Sequence, residues 1–296
     1  MVTKKRSAKK SKAAKKSAAP KRRTGRQALS FAVNADNPTR QRVAAMAEAP
    51  LAATESDAQL QSMLKVLTNP DEEIEVRLAA LQSLQAASFS VIEFESARPD
   101  YIAALRKVVN DPNEELRHRA LGILMREKDG FAQKKLLEGL ENPEKALVAP
   151  EKALQLLSYD VHAEAYPIAR KIIENPPNET ANREALRLLA ADATAAPVFE
   201  KVLRDKDEFA ENRQLSAAAL QALDPEKLQE HAREIVMDQT DYDQIKQTSL
   251  TALTQFANEE QVSNDDALVQ EVEKLNDEAS SQVKHTARRF LTKYRK

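Results

Sequence analysis

The sequence contains no cysteine and no tryptophan, and it has only four glycines, at Gly25, Gly122, Gly130 and Gly139. Without cysteine the chain has no disulfide bond, no thiolate metal ligand and no cysteine nucleophile. The glycines are too far apart to form either of the two common glycine-rich motifs that hold phosphate groups. The sequence therefore excludes nucleotide- and dinucleotide-binding loops of these types.

Long apolar runs are also missing. No run approaches the ~20 residues that a membrane-spanning helix needs, and the basic N-terminus lacks the apolar core of a secretory signal. We therefore expect a cytoplasmic protein without a membrane partner. Association with a nucleoid or a nucleus through the basic N-terminus is the alternative.

Charge is unevenly distributed, although the formal net charge of the chain is only −1. Residues 1–26 carry 12 basic side chains and no acidic one, whereas the rest of the chain holds 33 basic and 46 acidic groups. Such a segment cannot bury enough apolar surface to fold, so we expect a disordered basic tail. Its flexible cations favour non-specific contact with DNA or RNA. The basic residues are Lys4, Lys5, Arg6, Lys9, Lys10, Lys12, Lys15, Lys16, Lys21, Arg22, Arg23 and Arg26.

The remaining composition favours helix, because alanine and leucine are abundant while glycine and aromatic residues are scarce. No segment shows the alternation of β-branched residues that is typical of strands. We therefore predict an all-α fold with three parts. These are the tail (1–26), a linker with a partial N-terminal capping repeat (27–57) and a repeat solenoid (58–296).

A repeated block supports this division. Each copy has an apolar helix end, an Asn or Asp turn rich in acids, and a second helix. The turns recur at intervals of 30 to 42 residues, which suits one helix pair per repeat. The turn residues are Asn69, Asp111, Asn142, Asn175, Asp205, Asp238 and Asn276.

Residues of two further types recur at fixed distances from these turns. Eight residues after the turn, six of seven positions are basic, and Pro150 is the exception. Eleven residues after the turn, six of seven positions are small, which allows neighbouring helices to approach closely. We predict that each basic residue binds a turn acid of its own or a neighbouring repeat, as a structural ladder; a basic stripe that binds a polyanion is the alternative. The predicted ladder comprises Asn69, Arg77, Asp111, Arg119, Asn175, Arg183, Asp205, Arg213, Asp238, Lys246, Asn276 and Lys284.

The turn also predicts where the second helix begins. We expect Asn69 to cap the free N–H groups of the first helical turn, and Pro70 to occupy the first helical position. Because Pro150 replaces the basic residue of the third copy, we expect the ladder to be broken there and the helix to start late.

The repeated unit resembles the HEAT repeat family, including the short HEAT-like repeats of phycobilisome-lyase-type proteins. The turn Asn or Asp, the basic residue eight positions later and the Ala-rich second helix carry the resemblance over roughly residues 58–292. It implies an α-solenoid of about seven stacked helix pairs.

Some HEAT-like proteins are enzymes, and their motifs are not found here. The HEAT-repeat hydroxylases bind iron through paired His-Glu motifs, whereas this chain contains no His-Glu dipeptide. The HEAT-like DNA glycosylases place aromatic residues, Trp among them, around a catalytic Asp, and this chain has no Trp. We therefore expect no catalytic residue, no metal ligand, no cofactor and no enzymatic activity.

Residues 86–98 form an insertion that accounts for the longest interval between turns. Its apolar residues either fold back onto the helices or form a contact site for a partner. They are Phe89, Val91, Ile92 and Phe94.

Taken together, the sequence favours a scaffold or adaptor that binds a protein partner on its solenoid, while the tail contacts nucleic acid or another anionic surface. The alternative is a nucleic-acid-associated factor that acts mainly through the tail. The tail's other possible roles are to mask the acidic body or to direct transport. The acidic turns form a rim that is either merely solvated or a docking edge for a basic segment.

Overall fold

The computed structural model describes residues 25–48, 57–92, 94–160 and 163–295. The chain divides into two compact units, Met1–Ala104 and Leu105–Lys296. All regular elements among the described residues are helices, which confirms the predicted all-α fold.

In the first unit the helices form consecutive pairs. Helix α1 packs on α2 and α3 packs on α4, while α1 also contacts α3 and α2 contacts α4. Each pair therefore stacks first helix on first helix and second helix on second helix. The helices are α1 (Gly25–Val33), α2 (Thr39–Glu48), α3 (Asp57–Thr68), α4 (Ile74–Ser88), a short 3-10 helix (Glu95–Ala97) and α5 (Arg98–Val108), whose last residues belong to the second unit.

The second unit repeats the same arrangement. The second helices α8, α10, α12, α14 and α17 contact one another in chain order, and the first helices α11, α13 and α16 do the same. Its helices are α6 (Glu114–Arg126), α7 (Gly130–Glu141), α8 (Pro150–Leu157), α9 (Tyr166–Glu174), α10 (Glu179–Leu189), α11 (Ala196–Arg204), α12 (Ala210–Leu223), α13 (Pro225–Met237), α14 (Asp243–Phe256), α15 (Glu259–Ser263), α16 (Asp266–Glu278) and α17 (Ser281–Tyr294), with 3-10 helices at Pro143–Lys145 and Ala163–Ala165. Each unit thus has the stacked helix pairs of an α-solenoid, as predicted.

The positions eleven residues after each turn lie in the interior. All seven are buried, although their side chains differ in size from that of glycine to that of leucine. Small residues at these places let a second helix lie close to its neighbours, which favours dense packing between pairs. The residues are Ala80, Gly122, Ala153, Leu186, Ser216, Ser249 and Ala287.

The C-terminal pair closes the second unit with an aromatic cluster. Phe290 and Tyr294 are buried, and their ring centroids lie 4.8 Å apart. The Tyr294 hydroxyl donates a hydrogen bond to the backbone carbonyl of Leu253, at 2.8 Å. The last helix is therefore fixed to α14 by both apolar packing and a hydrogen bond.

Two helix starts can be compared with the boundaries predicted from the sequence. Helix α1 begins at Gly25, so Gly25 and Arg26 are helical although they were assigned to the tail. Helix α8 begins at Pro150 and has only eight residues, in line with the late start expected for this repeat. None of the helices in the described part of the chain is both long and apolar enough to cross a bilayer.

Candidate functional site

The fourth residue of most second helices carries a cationic or amide side chain. In α12 this residue is Arg213, which is fully buried. The equivalent residues are Arg42 in α2, Arg77 in α4, Arg117 in α6, Asn182 in α10, Arg213 in α12, Lys246 in α14 and Lys284 in α17.

Arg213 joins three segments of the second unit. Its Nε donates a hydrogen bond to the carbonyl of Leu203, the last residue but one of α11, at 2.8 Å. Its two Nη groups donate to both carboxylate oxygens of Asp241, at 2.8 and 2.7 Å. One guanidinium thus satisfies a free carbonyl at a helix end and forms a bidentate ion pair with the next repeat.

The first unit contains the same contact. Arg42 donates from Nε to the carbonyl of Ala32 at 2.8 Å, and from its Nη groups to the Glu72 carboxylate at 2.8 and 2.5 Å. Arg77 donates from Nε to the carbonyl of Leu67 at 3.0 Å. In all three repeats the acceptor carbonyl belongs to the last residue but one of the preceding helix.

The carboxylate partners also hold the start of their own second helices. Glu72 accepts the backbone N–H of Glu73 at 2.9 Å, and Asp241 accepts that of Tyr242 at 2.7 Å. Glu208 does the same for Phe209 at 2.9 Å, and also accepts the amide of Asn182 at 3.2 Å. Each carboxylate therefore links the preceding repeat to the start of its own helix. We call these contacts, made by the fourth residues of the second helices, the ladder.

The turn Asn and Asp residues have a different role from the predicted one. Asn69 accepts the backbone N–H of Asp71 at 3.1 Å, five residues before α4 begins at Ile74. Pro70 consequently precedes the helix, and the predictions of an Asn69 cap and a helical Pro70 are wrong. The predicted acids Asp111, Asp205 and Asp238 likewise accept the N–H two residues later, at 2.9, 3.0 and 2.9 Å. These residues shape the turn, and the ladder uses the carboxylate three positions after them.

Two predicted ladder residues lie outside the ladder. Arg119 pairs with Glu115 on the surface of its own helix, at 2.6 Å, and Arg183 pairs with Glu179 at 2.8 Å. Their helices begin three and four residues after the turn, whereas α4, α12 and α14 begin five residues after it. Because each residue turns a helix by about 100°, the basic residue is rotated away from the interior.

The remaining predicted ladder residues show how the pattern ends. Asn175 is the C-cap residue of α9. Asn276 lies within α16, which ends at Glu278, so the last turn is shorter than predicted, although α17 still begins five residues after Asn276. Lys284 donates to the carbonyl of Asp277 at 2.7 Å. Lys246 is buried at the ladder position, but the corresponding place in the last turn is occupied by Ala279 and supplies no carboxylate.

Sequence reasoning missed three ladder residues, Arg42, Arg117 and Asn182. Arg117 donates to the carbonyls of Asp111 and Leu147, at 2.8 and 3.1 Å. Counting from the helix start instead of the turn finds all three. For Arg117 and Asn182, Asn113 and Asn178 provided the signal of the helix start, since both cap their helices with a side-chain hydrogen bond.

The ladder lowers the pKa of the Glu72 carboxylate. The hydrogen bond from Arg42 lowers the pKa of Glu72, although burial opposes this shift. A similar pair joins α13 to the start of α16, where the hydrogen bond from Arg233 lowers the pKa of Asp265. The folded protein therefore favours the ionised form of both acids.

The described residues of the inserted segment form hydrogen bonds with one another. The backbone N–H of Ser90 donates to the carbonyl of Ala87 at 3.1 Å, and that of Phe94 donates to Ser90 at 2.9 Å. Arg98 donates to the carbonyl of Ser88 at 3.3 Å. These bonds fix the loop between α4 and the following 3-10 helix.

The apolar side chains of this loop divide into two groups. Phe94 is buried and meets Tyr101 edge to face, with ring centroids 5.5 Å apart. The prediction that Phe94 contacts a partner is therefore wrong, because its ring packs against α5. Phe89, Val91 and Ile92 are 76%, 64% and 90% exposed. We call these three residues the loop patch.

The other candidate residues are spread through the chain. The predicted tail residues from Lys4 to Arg23 lie outside the described residues, and Arg26 is exposed on α1. His231 is buried, with Nε2 2.9 Å from Glu200 and Nδ1 3.3 Å from Glu234. The described residues contain no group of three or more His, Asp or Glu side chains arranged to hold a metal ion.

The chain was compared with known proteins. No family model matches it, and no curated protein matches it. Among solved structures, human deoxyhypusine hydroxylase in complex with glycerol is similar, with a TM-score of 0.36 and 15% sequence identity. The similarity covers 80% of this chain and 96% of that protein.

This comparison contradicts the prediction that the chain is not an enzyme, because the similar structure is that of a hydroxylase. We withdraw that prediction, and the function proposed below makes no statement about catalysis. At this TM-score the similarity carries no argument for hydroxylase activity either.

The ladder makes a prediction about stability. Arg213→Ala should lower the free energy of unfolding by about 3–5 kcal/mol, because it leaves Asp241 buried without its cation. Arg119→Ala, the control on another second helix, α6, should change it by less than about 0.5 kcal/mol, since its ion pair is exposed. Urea unfolding of both variants measures the difference. Equal effects would contradict the ladder.

The ladder also predicts a pH dependence. Because the folded-state pKa of Glu72 is lowered from 4.5, its contribution to stability is complete above that value and is lost as the pH falls through the folded-state pKa. The stability difference between the wild type and Glu72→Gln should therefore be largest near neutral pH and shrink below about pH 4. The exposed Glu75→Gln is the control. A difference that does not change between pH 7 and pH 3 would rule out this contribution.

Proposed function

We propose that this protein is a HEAT-like scaffold or adaptor that binds a protein partner through the loop patch. The carrying observation is that a hydrogen-bonded loop exposes three apolar side chains within four residues of the chain. The basic N-terminal segment adds contact with nucleic acid or another anionic surface. We further propose that the protein acts in the cytoplasm, or at a nucleoid or in a nucleus.

The order of the loop supports this proposal. Phe94 packs on Tyr101 after the loop patch, and the hydrogen bond from Arg98 to the Ser88 carbonyl joins the segment after the patch to the end of α4 before it. The conformation of the loop is therefore set before a partner binds, which reduces the entropy lost on binding.

The chemistry of the loop patch supports a protein partner. Full burial of a Val, Ile or Phe side chain contributes about 1.5–3 kcal/mol, so three such residues can form the centre of an interface. The neighbouring Glu95 side chain is exposed, and a carboxylate beside the patch disfavours an anionic membrane surface. A protein surface with an apolar pocket fits both features.

The charge distribution supports the second contact and the alternative function. Residues 1–26 hold 12 cations and no acid, so the segment neutralises phosphates and releases counterions when it meets nucleic acid. If this contact dominates, the protein is a nucleic-acid-associated factor whose helical repeats are secondary.

The loop patch can be tested by crosslinking and substitution. A photoreactive amino acid at position 92 should crosslink one defined protein in cells, and the same residue at position 256 should not. Phe256 is the control because its side chain is also apolar and is half exposed. The protein identified by this crosslink should no longer co-purify with the Ile92→Asp variant, whose melting temperature should equal that of the wild type.

Two results would contradict the role of the loop patch. One is the same set of crosslinked proteins from positions 92 and 256. The other is unchanged recovery of the partner by Ile92→Asp, because a carboxylate at the centre of an apolar interface would be buried without a partner.

The tail can be tested by titrating a labelled DNA duplex with the full chain and with residues 25–296, which retain every described helix. Only the full chain should raise the anisotropy at low salt. Its log K should fall with log salt by about 0.9 per phosphate contact. Equal binding by both proteins would place the nucleic-acid contact outside the tail, and no binding by either would exclude it.

A further inference from the structure

Two aromatic side chains project into solvent from the same rim of the second unit. Phe209 precedes the first residue of α12, and Tyr242 precedes the first residue of α14. They are 53% and 60% exposed. Both occupy the fourth position after a turn Asp, in two successive repeats, and we call them the rim aromatics.

The ladder holds both rim aromatics in place. The N–H of Phe209 donates to Glu208, and the N–H of Tyr242 donates to Asp241. The turns adjoin, since Lys206 of one donates to the Thr240 hydroxyl of the other at 2.6 Å. The backbones of the two rim aromatics therefore have similar local geometry, in two successive repeats.

Acidic side chains surround the rim aromatics. Asp207 and Glu211 lie two residues on either side of Phe209, and Asp243 follows Tyr242. All three are exposed, and none has an ion-pair partner among the described residues. The nearby cation Lys206 is paired with Asp238. The rim therefore combines two ring faces with uncompensated negative charge.

We propose that the rim aromatics and their flanking carboxylates bind a lysine- and arginine-rich peptide segment of a partner protein. Cations bind the faces of aromatic rings, and the carboxylates pair with the same side chains. The negative charge disfavours nucleic acid, whose phosphates would be repelled. This surface belongs to the second unit and shares no residue with the loop patch, so the proposal does not depend on the function proposed above.

A defined basic peptide tests the proposal. The probe is a fluorescein-labelled peptide with the sequence of residues 4–23, which carries 11 Lys and Arg residues and no acid. The full chain should raise its anisotropy, and a peptide with glutamine in place of these cations should not bind. The double substitution Phe209→Ser and Tyr242→Ser should weaken binding at least about fivefold, given the usual strength of two exposed cation–π contacts.

Phe256→Ser is the matched control, because Phe256 is half exposed at the opposite end of α14. It should bind the peptide like the wild type. Equal binding by the wild type and the double variant would overturn the proposal.

A second arm uses a full-length chain whose own residues 4–23 carry glutamine at the basic positions. If the peptide binds this chain but not the wild type, the rim is occupied by the chain's own basic segment, and the assignment to a partner protein is overturned. Similar binding to both chains, with loss in the double variant, supports the partner assignment.

Discussion

The guanidinium at the fourth position of a second helix is the contact on which the repeat architecture depends. In the repeats of Arg42 and Arg213 it binds the open end of the preceding helix and a carboxylate of the next turn. That carboxylate then accepts the N–H of the residue that directly precedes its own helix. Apolar stacking supplies most of the stability of a solenoid, but it is not directional. The ladder adds the direction, because one bidentate pair fixes the position of a repeat relative to the previous one.

The same contact explains how this protein presents its candidate surfaces. Glu208 and Asp241 fix the residues that carry the rim aromatics, and the loop patch extends from the end of α4, whose Arg77 binds the preceding helix. Side chains that project from such ordered backbone lose little conformational entropy when a partner binds. A repeat scaffold of this kind therefore supports binding at loops and turns and does not require a deep pocket.

The sequence was sufficient to predict the helical class, most of the turns and the small buried positions, because these follow from composition and periodicity. It was not sufficient to place every ladder residue. Arg119 and Arg183 have the predicted spacing from their turns, yet their helices begin one or two residues earlier than α4 and α12 do. Similarly, Phe89 and Phe94 belong to one apolar cluster of the sequence, and only packing against Tyr101 decides that Phe94 is buried. The spacing of residues along the sequence does not determine where each helix begins or which side chains pack together.

A double-mutant cycle of Arg213 and Asp241 tests the central role of the ladder most directly. The unfolding free energies of Arg213→Met, Asp241→Asn and the double variant are measured against the wild type by urea denaturation. If the pair links the two repeats, the double variant should be more stable than the sum of the single effects predicts, by about 1–3 kcal/mol. Additive effects would show that the two side chains contribute independently, and the ladder would then not hold the repeats in register.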